Sequence, residues 1–232
     1  MTRRIAIAAA IIAFGLGGAW AVTPFGGDDS GYIPPDANNL KYESKVAKIL
    51  GKYQKCVFKC HDARASGKLA DDTVEDGCES ACQLKYDTSV TKLTAPAPAS
   101  GCLNTLSLRQ LWEADIDNFN TQIYCDNTGN VAFGGDDTGY ISTDPTILKC
   151  ERKIGSNTAK LVKCDATCHQ RRAAGKIADP NDEETCEDNC DLKFTRSNAN
   201  VTGCPVCLNG DTVASTFRNL NDINNGSVFC AQ

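Results

Sequence analysis

Two Cys-x3-Cys pairs constrain this chain more than any other feature, because they occur twice with the same spacing. Cys56, Cys60, Cys78 and Cys82 recur 108 positions later as Cys164, Cys168, Cys186 and Cys190. Two helices running antiparallel through a tight turn bring together residues whose numbers have a constant sum. Cys56 with Cys82 and Cys60 with Cys78 both sum to 138, with a midpoint beside Gly67-Lys68. Cys164 with Cys190 and Cys168 with Cys186 both sum to 354, with a midpoint beside Gly175-Lys176. The spacing therefore predicts two disulfide rungs across each helical hairpin. Cys150 and Cys204 also sum to 354, and Cys150 lies 14 residues before Cys164, close to four helical turns and so on the same face. This predicts a third rung in the second copy, where the first copy has Tyr42. The remaining cysteines are expected to pair within each copy, Cys102 with Cys125 and Cys207 with Cys230, tying a third helix to its tail. An even set of fourteen cysteines fits a disulfide framework made in an oxidising compartment better than a cytosolic zinc protein.

The repeat extends beyond the cysteines. The segment Phe25-Gly26-Gly27-Asp28-Asp29-Ser30-Gly31-Tyr32-Ile33 returns as Phe133-Gly134-Gly135-Asp136-Asp137-Thr138-Gly139-Tyr140-Ile141. After a three-residue contraction, Cys102 and Cys125 return as Cys207 and Cys230. The chain divides into residues 1–21, a first repeat at 22–130 and a second at 131–232. Each repeat reads as three helices. In the first, Val46, Ile49, Tyr53, Cys56, Val57 and Cys60 form an apolar stripe. A second helix starts near Asp72-Thr73, with Glu75 completing a capping pattern, and runs to about Leu93 before Pro96 and Pro98. Leu108, Leu111, Trp112, Ile116 and Phe119 mark a third, matched more weakly by Val213, Phe217, Leu220 and Ile223. The expected fold class is all-α: two tandem disulfide-stapled three-helix units, each entered through a polar Gly-rich turn.

Residues 1–21 read as an export signal, with Arg3 and Arg4 before an apolar run and Ala19-Trp20-Ala21 as the cleavage site. The run is too short to be preferred as a membrane anchor, so no stable anchor is expected after cleavage. Removing it changes the formal charge from −5 to −7, a balance that disfavours nucleic acid and anionic membranes as partners.

The twin Cys-x3-Cys pattern resembles helical-hairpin proteins such as plant α-hairpinins and the small translocase chaperones of the mitochondrial intermembrane space. The whole unit, with its Phe-Gly-Gly-Asp-Asp opening, Lys-Cys-His and Cys-Pro-x-Cys-Leu, resembles tandem cysteine-rich repeats in secreted proteins of Gram-negative bacteria. These resemblances imply a hairpin topology and export. They imply no activity.

The chain has two histidines, His61 and His169, and each directly follows a cysteine. Cys56, Cys60 and His61, with Cys164, Cys168 and His169, approach the c-type haem pattern with one residue too many between the thiols. The plain alternative places each histidine on the exposed shoulder of a stapled helix. Cys204-Pro205-Val206-Cys207 has the form of a thiol-exchange motif, but no sheet pattern surrounds it and Cys204 has a partner in Cys150. Asp28, Asp29, Asp136 and Asp137 are candidate calcium ligands, with a polar turn as the simpler reading. Asn200-Val201-Thr202 and Asn225-Gly226-Ser227 are glycosylation acceptors only in a eukaryotic secretory host. No nucleophile and base can be argued together, so catalysis is not expected. The function expected from sequence is a secreted, non-enzymatic binding or structural module with an extracellular or periplasmic partner and no cofactor. Haem c binding is the alternative. A further one is a hairpin-type protease inhibitor presenting Arg64 and Lys68 at an exposed turn tip.

Overall fold

In the computed structural model the chain is described over residues 23–93, 102–125 and 130–230; the expected export signal lies outside them. A strand pair, β1 (Thr23–Gly26) and β2 (Asp29–Ile33), precedes α1 (Ala37–Ala65), α2 (Asp72–Thr91) and α3 (Thr105–Phe119). The order then repeats as β3 (Val131–Gly134), β4 (Asp137–Ile141), α4 (Pro145–Ala173), α5 (Pro180–Asn198) and α6 (Gly210–Asn225). The fold is a disulfide-stapled all-α architecture with two small antiparallel strand pairs.

Each helix begins where a short polar side chain satisfies backbone N–H groups that have no intrahelical partner. Asp36, Asp71, Asn104, Asp144, Asp179 and Asn209 accept from the first turns of α1 to α6 in order. The α1–α2 and α4–α5 hairpins turn through Gly67 and Gly175, both at positive φ (72° and 65°). Across these turns the structure joins Cys56 to Cys82, Cys60 to Cys78, Cys164 to Cys190 and Cys168 to Cys186, and it joins Cys150 to Cys204.

The last two bridges correct the sequence expectation. Cys102 pairs with Cys230 and Cys125 with Cys207, not Cys102 with Cys125 and Cys207 with Cys230. The physical reason is that the two halves pack as one body. α1 lies antiparallel against α4, with Arg152 forked onto Asp62 at 2.8 and 3.0 Å near one end. Gln170 Nε2 donates to the Ser44 carbonyl at 2.7 Å near the other. Phe58 of α1 meets Phe217 of α6 at 5.4 Å between ring centroids. The start of one half's third helix is thus beside the tail of the other's, and the pairing is reciprocal, as an isologous interface requires.

The Gly-rich segments, expected as simple turns, are β-hairpins that serve the bundles reciprocally. β3–β4 closes the first bundle: Thr138 Oγ1 donates toward the Asp117 and Asn118 carbonyls, both at 2.8 Å, and the Tyr140 N–H donates to the Tyr124 carbonyl at 3.0 Å. β1–β2 closes the second, where Ser30 Oγ donates to the Asp222 and Ile223 carbonyls at 2.8 and 2.6 Å and the Tyr32 N–H to the Phe229 carbonyl at 2.9 Å. The first hairpin of the described residues therefore completes their last bundle. Gly31 and Gly139 permit this approach. Their φ values are 98° and 111°, and a Cβ would lie 2.5 and 2.8 Å from the Phe229 and Tyr124 carbonyl oxygens.

The third-helix stripes hold in part: Leu108, Trp112, Ile116, Val213 and Phe217 are buried, whereas Leu111 and Ile223 face solvent. None of the described helices is long and apolar enough to cross a membrane. Non-reducing peptide mapping should recover Cys102 linked to Cys230 and Cys125 linked to Cys207; a Cys102–Cys125 peptide would contradict the reciprocal packing. Gly139→Ala should lower stability by about 1–3 kcal/mol, measured by chemical denaturation.

Candidate functional site

The rungs do more than staple. Cys60–Cys78 holds α1 against α2 with a Cα–Cα distance of 5.8 Å, which sets His61 opposite the residues flanking Cys78. Glu75 and Glu79 are one helical turn apart and so share that face. Asp117 enters from α3 and Asp137 from the start of β4. The result is one imidazole nitrogen ringed by four acids. His61 Nε2 lies 2.8 Å from Asp137 Oδ1, 3.0 Å from Glu79 Oε1, 3.4 Å from Asp117 Oδ1 and 3.7 Å from Glu75 Oε1.

The second half repeats the cage with equivalent residues. His169 Nε2 lies 2.7 Å from Glu187 Oε1, 2.8 Å from Asp29 Oδ1, 3.4 Å from Asp222 Oδ1 and 3.6 Å from Glu183 Oε1. Asp29 comes from β2, at the other end of the sequence. All ten side chains are at most 5 % exposed. The expectation of histidines on an exposed shoulder is therefore corrected: Cys56, Cys78, Cys164 and Cys186 are only half-buried, but each histidine, one residue past its cysteine, is turned inward and buried.

Burial of so many acids around one base is electrostatically costly. Desolvation, and then the neighbouring Asp137 and Asp29 carboxylates, push Glu75 and Glu183 up to about 10. Desolvation raises Glu79 to about 7, and Asp117 and Asp222 to about 6, against the pull of the imidazoles. The imidazoles are desolvated too, yet the surrounding carboxylates hold them well above the ordinary histidine range. Hydrogen bonding discharges the cages only in part: His61 Nε2 and Glu79 Oε1 form an aligned hydrogen bond of 3.0 Å in the first half. In the second half, both carboxylate oxygens of Asp29, Glu183, Glu187 and Asp222 lack an aligned hydrogen-bond partner, and so does His169 Nε2. Asp117 Oδ1, Asp137 Oδ1 and Glu75 Oε1 are in the same position in the first half.

For the remaining contacts, close approach without aligned hydrogen bonds is what lone pairs aimed at a shared centre produce. Ligand atoms about 2.1 Å from an ion sit about 3.0 Å apart at right angles and about 3.4 Å apart in a tetrahedron. The observed spacings of 2.7–3.7 Å bracket both. His61, Glu79, Asp117 and Asp137 offer atoms all within 4.8 Å of one another, as do Asp29, His169, Glu183 and Glu187.

The cages differ in their surroundings. Arg218 Nε lies 3.3 Å from Glu187 Oε2, and the same guanidinium contacts Glu184, Asp188 and Asp191. The equivalent first-half position is Glu113, which accepts from Gln83 at 2.6 Å. The second half also buries Asp165, pushed up to about 9 by desolvation and by Glu187, where the first has Val57.

The other sequence candidates are placed as follows. Cys56, Cys60, Cys164 and Cys168 are all in disulfides and the described chain holds no free cysteine, so the thiols that haem attachment needs are already used. Cys204 and Cys207 bridge to Cys150 and Cys125 and not to each other. The four hairpin aspartates split: Asp29 and Asp137 turn into the cages, while Asp28 and Asp136 stay exposed. Arg64, expected at an exposed tip, is half-buried and donates to the Phe133 carbonyl at 3.3 Å. Sequence reading missed Glu75, Glu79, Asp117, Glu183, Glu187 and Asp222, although each recurs in register between the copies. Comparison with protein-family models, with curated proteins and with solved structures found no match.

A cage built for a cation has a signature in its variants. With chelator present, Glu79→Gln removes repulsion and should raise the melting temperature by about 2–4 °C, while Mn²⁺ should then stabilise the variant less than the parent. Thermal melts with and without Mn²⁺ check this; equal Mn²⁺ stabilisation of both proteins would contradict it.

Proposed function

We propose that this chain is an exported, disulfide-rich module that binds two metal dications, one in each half. The observation that carries the reading is the cage itself, one histidine and four buried carboxylates, present twice with residues that correspond one for one. An ion inside it would offset the buried negative charge and use the oxygens that lack hydrogen-bond partners.

The donor set indicates the ion. Carboxylate oxygens with a single imidazole and no thiolate suit borderline to hard dications such as Mn²⁺, Fe²⁺ or Zn²⁺ and disfavour Cu⁺. Calcium favours all-oxygen coordination with carbonyls and water, at longer distances. Enclosure supports binding over catalysis, because a catalytic metal keeps a position open to substrate and these side chains are nearly fully covered. Export is supported by the disulfide framework, which persists in oxidising compartments.

Titration of chelator-treated protein with Mn²⁺ by calorimetry, checked by elemental analysis after desalting, should give two ions per chain in two steps. The half containing Arg218 is expected to bind more weakly, because its guanidinium already neutralises part of Glu187. Asp137→Asn should abolish the tighter step and Asp29→Asn the weaker one. A stoichiometry below one, or two steps insensitive to both substitutions, would overturn the proposal.

A further inference from the structure

The charge of this chain is separated by helix. α1 and α4 carry fourteen of its 24 lysines and arginines, seven each, against Glu43, Asp62, Glu151 and Asp165. Three of those acids, Glu43, Glu151 and Asp165, are fully buried, so the exposed surface of the two long helices is almost wholly cationic. α2 and α5 carry the opposite excess. A net charge of −5 conceals this.

Where α1 and α4 pack together, a groove of about 850 Å³ opens on the cationic side. Lys55 and Lys59 enter it from α1, and Lys149, Arg152, Lys153 and Lys160 from α4. Among the described residues Asp62 is the single acid in its lining, and it is held by the Arg152 fork at 2.8 and 3.0 Å. Lys160 Nζ donates to Asn157 Oδ1 at 2.9 Å. Among the described residues, no carboxylate lies within ion-pair distance of Lys55, Lys59, Lys149 or Lys153. Asn200 and Thr202 line the groove as well and add neutral hydrogen-bonding groups. The volume falls in the range of small-molecule sites.

We propose that this groove binds an oligoanion carrying several phosphate groups. Lysine ammonium groups are compact point charges with three donors each, and they bind phosphate without the planar match that a carboxylate pairing with arginine exploits. Four such groups converging from two helices on one concavity suit a ligand with several separated negative charges better than a single carboxylate. The site is independent of the two cation cages: no cage residue lines it.

The test uses the full mature chain and two probes, tripolyphosphate in solution and phosphatidylcholine vesicles containing phosphatidic acid. Calorimetry with tripolyphosphate should show one site per chain whose affinity falls as salt is raised. The Lys59→Glu/Lys153→Glu variant should weaken it by about tenfold or more. Lys41→Glu/Lys48→Glu makes the same charge change on exposed positions of α1 outside the groove, and it should weaken binding by no more than about twofold. Groove-dependent binding of tripolyphosphate identifies a free phosphate compound as the ligand; groove-dependent binding of vesicles alone identifies a lipid headgroup. Either result supports the proposal. No binding to either probe, or equal losses in the two double variants with unchanged folding by circular dichroism, would overturn it.

Discussion

Eight buried carboxylates, four around each of two histidines, are the constraint to which the rest of this structure answers. Carboxylates gather away from water around one imidazole only where protons or positive charge offset their repulsion. A single imidazolium supplies one positive charge against the acids of each cage that stay ionised, burial having pushed Glu75 and Glu183 up to about 10. In the second half Arg218 adds another, but only from outside, through the far oxygen of Glu187. The deficit is largest in the first half, where no arginine occupies the corresponding place. A dication in each cage would remove it, and the same step would satisfy oxygens that the hydrogen-bond network leaves over.

Holding such a cage together requires a scaffold that repulsion cannot spread. The Cys60–Cys78 and Cys168–Cys186 rungs lie immediately beside the caged residues, next to His61 and His169 on one helix and between each pair of glutamates on the other. Each bridge typically contributes about 2–4 kcal/mol by restricting the unfolded chain, and here it also prevents the helices from separating under charge. The reciprocal Cys102–Cys230 and Cys125–Cys207 bridges fix the third helices, which bring Asp117 and Asp222. Only the hairpin aspartates arrive without a covalent tie. Asp29 and Asp137 are held instead by backbone hydrogen bonds and by Phe25 and Phe133, whose rings lie 6.3 and 6.0 Å from the two imidazoles.

The helical hairpins could be read from numbering alone, because antiparallel helices joined by a tight turn obey a constant sum; the four rungs between such helices follow it, and so does Cys150–Cys204 although Cys204 lies beyond the end of α5. The reciprocal bridges could not, since no local periodicity reports how one half packs on the other; nearness in sequence favoured Cys102 with Cys125, and packing placed Cys230 nearer. The hairpins were hidden for a similar reason. Phe25 to Ile33 is short, rich in glycine and lacks the apolar alternation of a half-buried strand, because what it buries is an aspartate and a phenylalanine against another element. His61 and His169 were singled out by their position after a cysteine, which suggested haem chemistry and obscured a different signal: Glu75, Glu79, Asp117 and Asp137 recur in register with Glu183, Glu187, Asp222 and Asp29. An acid on a helix usually means a solvated face, so only the three-dimensional convergence reveals that these are turned inward.

The most direct test of the central claim is anomalous X-ray diffraction from crystals of the Mn²⁺-loaded protein. Two anomalous peaks are expected, each about 2.1–2.3 Å from the histidine Nε2 and from carboxylate oxygens of its cage, one at His61 and one at His169. Density at the surface acids alone, with both cages closed on hydrogen-bonded protons and no bound ion, would contradict it.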